Sequence, residues 1–173
     1  MRGNFGFIHE KIEIKILVLF IMRRLHEPVT FDILIGLAMC DEGIGYFDLT
    51  ECIAELVETD HLLIEDGRYS VTRKGVRNGE ITESSLPYSV RVKAETGTAE
   101  VRRIQNRNAL IKTFSKSGPE GGYTVNLSFS DGVGDIVSME LYAANEKQAL
   151  ALEKGFRKNA ESIYSALIEM MLN

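Results

Sequence analysis

Three histidines, His9, His26 and His61, are the side chains best suited to moving protons near neutral pH. None stands at motif spacing from a nucleophile or a second acid. The sequence holds no G-x-S-x-G, no H-E-x-x-H and no phosphate-binding P-loop. It therefore reads as no enzyme, with no catalytic residue; only convergence of residues distant in sequence would restore one. Cys40 and Cys52 are the two thiols. Both fall on apolar faces of predicted helices, which suits reduced, buried cysteines. A redox switch or a metal site with His26 or His61 is the sharper alternative, but no C-x-x-C pair supports it and no metal is expected. Gly43-x-Gly45 lacks the third glycine and the preceding strand of a dinucleotide loop. Asp131 with Asp135 offers too few ligands for calcium. No cofactor is expected.

What remains is the chemistry of charge. Arg68, followed by Arg73, Lys74 and Arg77, forms one group of cations, and Arg91, Lys93, Arg102, Arg103 and Arg107 form a second. Each group suits phosphate contacts and equally suits a solvated face. The net charge of −5 is unevenly placed: residues 1–83 carry nine Lys and Arg against fifteen Asp and Glu, and residues 84–173 eleven against ten. A non-specific nucleic-acid binder should be basic. Any DNA contact must come from local clusters.

These side chains need a scaffold, and hydrophobic spacing predicts one. A helix from about Glu10 to His26 is apolar nearly all round, which places it centrally, and Phe5, Phe7 and Ile8 before it form an apolar arm. Pro28 ends that helix. Thr30 caps the next, with Ile33, Leu34, Leu37 and Ala38 inward and Asp41 to Gly45 as its breaker. Asp48 with Glu51 forms a capping box for a third helix, whose Leu49, Cys52, Ile53, Leu56 and Val57 follow the i, i+3, i+4, i+7, i+8 pattern. Its other face carries Thr50, Glu51, Ala54, Glu55 and Glu58. Leu62 and Ile64, then Tyr69 and Val71, alternate around Asp66-Gly67, a hairpin signal. Thr72 caps a short helix to about Glu83, and its Gly75 allows close packing against the first or third helix.

Ser84 to Pro87 marks a boundary. One connecting helix spans about Tyr88 to Asn108. Leu110–Lys116, Tyr123–Phe129 and Val137–Ala143 read as strands joined by two glycine-rich turns, Gly118 to Gly122 and Asp131 to Asp135. A last helix, capped by Asn145 with Gln148, carries Ala149, Phe156, Ile163 and Met170 at seven-residue intervals. That stripe reads as core over the sheet or as a seam with a second subunit.

The span through Gly75 resembles winged helix-turn-helix transcriptional regulators. The resemblance rests on Leu56, Leu62-Leu63-Ile64, Asp66-Gly67, Tyr69, Val71-Thr72 and Gly75, which match the wing of multidrug-resistance and phenolic-acid regulator types. Leu86 to Arg91, Tyr123 to Phe129 and Ala160 to Tyr164 resemble a bacterial family of unknown function with a winged helix followed by an α/β half. The resemblance departs at the recognition helix, which offers three glutamates where bases and phosphates call for Arg, Lys, Asn or Gln.

The expected fold is α+β: a winged helix-turn-helix over residues 1–85, then residues 86–173 with a small antiparallel sheet covered by a long C-terminal helix. The expected function is a dimeric regulator of double-stranded DNA, with the second half dimerising or sensing a small-molecule effector. Its DNA-contact residues are Thr50, Ala54, Arg68, Arg73, Lys74 and Arg77. The alternative is a winged-helix module that docks protein through the acidic third helix and binds no DNA. At 45% hydrophobic and 26% charged, with seven residues in the apolar run from Ile16 to Met22, the chain is expected to be cytoplasmic and to cross no membrane.

Overall fold

A computed structural model describes residues 6–119 and 121–172. Phe5 of the apolar arm and Glu120 of the first glycine cluster lie outside them. The fold is α+β, with six α-helices and two three-stranded antiparallel sheets among the described residues. The chain divides into two compact units, Met1–Arg103 and Ile104–Asn173. No helix of the described residues is long and apolar enough to cross a membrane.

The first unit is built around α1 (Lys11–Met22), whose Ile14 and Leu17 to Met22 are all buried. The helix stops at Met22, short of the expected His26. Arg24 and Leu25 donate to carbonyls three residues back, so the chain tightens into turns before Pro28. A two-residue strand, β1 (Val29–Thr30), follows and pairs with the later hairpin, giving a sheet of three strands where two were expected. Val29 is buried there, but two residues leave no alternation to read.

In α2 (Phe31–Ala38) Leu34 and Ala38 are buried, whereas Ile33 is exposed, against expectation. Next, α3 (Tyr46–Glu58) buries Leu49, Cys52, Ile53 and Leu56. Gly45 caps it, so Asp48 is its third residue and not its cap, and Glu51 is engaged elsewhere. Strands β2 (Leu62–Glu65) and β3 (Arg68–Val71) form a hairpin whose two turn residues, Asp66 and Gly67, both have positive φ.

Thr72 caps α4 (Arg73–Thr82) through the Gly75 N–H, as expected. The atoms nearest Gly75 belong to neither α1 nor α3. A Cβ there would lie 2.2 Å from the His61 carbonyl oxygen, and it is Gly79 that meets Leu19 of α1 and Arg23 just after it. Leu86 with Val90 and Ala94, from the first turns of α5 (Tyr88–Leu110), completes the first core.

Glu83, just after α4, accepts hydrogen bonds from Arg23 and Arg24. Burial alone would raise its pKa, but the Arg23 hydrogen bond and the two guanidinium charges outweigh that and hold it below 4.5. The stability this adds is complete above the unfolded value and is lost as pH falls through the lowered folded value. Glu83→Gln should cost about 1–2 kcal/mol at pH 7. In urea titrations, the gap from wild type should close as pH drops below the carboxylate range.

In the second unit, β4 (Ile111–Ser117), β5 (Tyr123–Ser130) and β6 (Asp135–Ala143) pair in the order β4-β5-β6. Tyr123, Val125, Leu127 and Phe129 line the face beneath α6 (Glu146–Leu172), where Ala149, Phe156 and Ala160 are buried. Gln148 N–H donates to the Asn145 side chain, the expected cap. The helix kinks at Asn159, whose side chain donates to the Gly155 carbonyl. Beyond the kink Ile163 still packs against the core, half-buried, but Met170 is exposed, as is Leu141 on β6.

Candidate functional site

The amphipathic spacing of α3 leaves one side of it in solvent, and charge is unevenly distributed over that side. Successive residues turn by 100° around a helix. Phe47, Thr50, Ala54 and Glu58 therefore share an outward stripe, while Asp48, Glu51 and Glu55 share the flank beside it. That flank faces α1. Lys11 Nζ lies 2.7 Å from Glu51, and Lys15 pairs with Glu55. The hydrogen bond to Glu51 raises the Lys11 pKa, with the Asp48 and Glu55 charges adding to it. The hydrogen bond from Lys15 lowers that of Glu55. Two of the three glutamates that made the helix look acidic are thus turned toward α1 and matched by lysines. Glu58 makes no ion pair among the described residues and sits in the last turn.

The first turn of the stripe is aromatic. Phe47 is 84% exposed, and the Tyr46 ring stands edge-on to it at 5.8 Å. Thr50 donates its hydroxyl proton to the Phe47 carbonyl at 2.9 Å. Ala54 is exposed one turn further on. Between Phe47 and Ala54 the stripe carries no charge and no bidentate hydrogen-bonding side chain.

The predicted cations are placed separately. Lys74 donates to the Thr59 carbonyl at 2.7 Å, so the start of α4 is tied to the end of α3. Arg73 and Arg77, one turn apart on α4, are exposed and make no ion pair among the described residues. Arg68 opens β3 opposite Thr30 and Glu65, and its guanidinium donates to the Pro28 carbonyl at 3.4 Å. Thr50 and Ala54 thus come together on one stripe and Lys74 reaches the end of the same helix, while Arg68 and Arg77 touch neither. In the second cation group, Arg103 pairs with Glu100 and Arg107 with Glu161.

An apolar groove of about 340 Å³ runs between α1, the end of α3 and α4, lined by Ile12, Ile16, Leu19, Leu56 and Ile81. His61 stands at its polar end. Thr59 Oγ1 donates to the Glu55 carbonyl, so it accepts from Nδ1 of His61, and Nε2 accepts from Asn78. Burial and then the Lys74 charge lower the His61 pKa, which keeps that ring neutral.

Sequence reading missed Tyr46 and Phe47, because taking Asp48 as the cap left them outside the helix. It also missed Lys11 and Lys15. Their four-residue spacing on α1 repeats that of Glu51 and Glu55 on α3, the one signal that pointed to a ladder between the two helices.

A model of a family described as a domain of unknown function (DUF4364) matches residues 14–171. No curated protein and no solved structure matches the chain.

Proposed function

The chain belongs to the DUF4364 family, a domain of unknown function, and for it we propose a dimeric DNA-binding transcriptional regulator of the winged-helix type. In this reading α2 and α3 are the helix-turn-helix and the β2–β3 hairpin is the wing. The stripe of α3 enters the major groove, while Arg68, Arg73, Lys74 and Arg77 meet phosphates. The observation that carries it is the siding of charge on α3. Glu51 and Glu55 are matched by Lys11 and Lys15 at the α1 flank, so from Phe47 to Ala54 the outward stripe is neutral where an acidic one would be repelled by phosphate. The same observation weakens the alternative, in which those carboxylates dock on a basic protein surface.

Two further features fit the reading. The last turns of α6 expose Ile168, Met170, Met171 and Leu172, and Ile168 and Met171 line, with Ile136 and Met139 of β6, an apolar groove that a second copy can cover. The groove beside His61 abuts the end of α3, so a small apolar effector there would act on the reading helix.

The test is a fluorescence-anisotropy titration of the full chain. The probe is DNA from upstream of its own coding region, compared with a scrambled duplex at two salt concentrations. Saturable binding that prefers the native probe and falls with salt is the expected result; no binding to either probe at micromolar protein sinks the reading. Arg73→Ala with Arg77→Ala is the informative variant, because neither side chain makes an ion pair among the described residues, whereas Lys74 also holds α3. The double variant should lose on the order of tenfold affinity on every sequence, with a salt slope shallower by about two. An unchanged slope removes them as phosphate contacts.

A further inference from the structure

We propose that α3 reads thymine methyl groups, with Phe47 as the specificity-determining residue and Thr50 and Ala54 beside it. The inference rests on the DNA-binding reading and goes beyond it to the bases contacted.

Each base pair shows the major groove a distinct set of groups. Guanine is read by bidentate Arg or Lys, adenine by bidentate Asn or Gln, and cytosine by a carboxylate accepting from its amine. The stripe from Phe47 to Ala54 contains none of these side chains. Thr50 has its hydroxyl proton engaged by the Phe47 carbonyl, so it offers a methyl group and an acceptor lone pair. Ala54 offers a methyl group. Phe47 offers a ring that Tyr46 supports edge-on and that projects almost wholly into solvent. An apolar surface on a reading helix has one apolar partner on the base edges, the C5-methyl of thymine.

Charge favours this occupant as well. Glu51 and Glu55 on the flank are matched by Lys11 and Lys15, and Arg73 and Arg77, which make no ion pair among the described residues, stand on the helix that Lys74 ties to α3. Glu58 lies on the same stripe near its far end, so the amino-terminal half of α3 is the part that enters the groove. A site read this way is rich in A·T pairs in each half-site, and it discriminates thymine from uracil, which pairs identically but lacks the methyl.

The experiment uses the full chain. Bound duplexes are selected from a randomised 20-base-pair pool, and the winning duplex is remade with deoxyuridine in place of thymidine. Burying one methyl group is worth about fourfold in affinity, so removing two or three contacted methyls should weaken binding by about tenfold to fiftyfold. Phe47→Ala, which removes an exposed side chain and leaves the core intact, should narrow the gap between thymine and uracil duplexes to what Thr50 and Ala54 contribute. If the winning duplex binds equally well with uracil, or if Phe47→Ala keeps the full discrimination, the inference falls and the DNA-binding reading stands. If no duplex is enriched and neither form binds, both fall, and the exposed Tyr46–Phe47 pair becomes a protein anchor.

Discussion

Gly75→Ala should destabilise the first unit by about 2–3 kcal/mol, although the same change in an open helix stabilises by up to about 1 kcal/mol. Gly75 is the third residue of α4, and its N–H donates to the Thr72 hydroxyl. An added Cβ would lie 2.2 Å from the His61 carbonyl oxygen and 2.8 Å from a Val71 methyl. That carbonyl cannot step aside, because the Thr72 N–H holds it at 3.0 Å and the Thr72 hydroxyl donates to the adjacent Asp60 carbonyl at 2.6 Å. The clash therefore pushes apart the end of α3, the β2–β3 hairpin and the start of α4, the three elements on which the candidate site is mounted. Gly36 in α2 is the matched control, with no atom within 4 Å of its added Cβ. Gly36→Ala should be neutral to stabilising. Thermal unfolding of the full chain checks both. The expected shift is about 10–20 °C downward for Gly75→Ala, and equal midpoints for the two variants would refute the packing argument.

The parts of this fold that were legible in the sequence are those coded within a few residues of themselves. Asp66-Gly67 specifies a tight turn by its own backbone preference, and Thr72 and Asn145 cap helices by reaching N–H groups three residues on. The alternation from Tyr123 to Phe129 and the apolar spacing of α3 each record one buried face. What was not legible depends on partners far along the chain. Val29 and Thr30 are a strand only because Tyr69 and Arg68 lie opposite them. Gly75 is required by a carbonyl on the preceding loop, which no local pattern reveals.

The start of α3 shows how a local signal misleads. Asp48 and Glu51 have the spacing of a capping box, yet the helix begins three residues earlier, with Gly45 as its cap, and Glu51 bonds Lys11 across to α1. That shift brought Phe47 into the candidate site, and the lysine ladder matches two of the three glutamates that made the helix look acidic. Charge on a helix has meaning only with its neighbours in place.

Asp41→Ala should cost about 3 kcal/mol, and Asp41→Asn only about 1 kcal/mol. The sequence reads Asp41 as part of a helix breaker, but it is 2% exposed and one carboxylate oxygen accepts three backbone N–H groups. They are Phe7 at 2.8 Å, Ile8 at 3.1 Å and Gly43 at 3.1 Å. The first two fasten the segment before α1, and the third shapes the turn that delivers the chain to α3. Alanine leaves all three donors without a partner, while asparagine keeps an acceptor oxygen and loses only its charge. Because Ile8 is fully buried in the core around α1, releasing that segment opens the core as well as the turn. Hydrogen exchange separates this from a merely local loosening. Asp41→Ala should lose protection at the Phe7, Ile8 and Gly43 amides, with a matching fall across the buried amides of α1. Protection retained in α1 would mean that the turn and its segment are an appendage, and that the path to the amino end of α3 is held by other contacts.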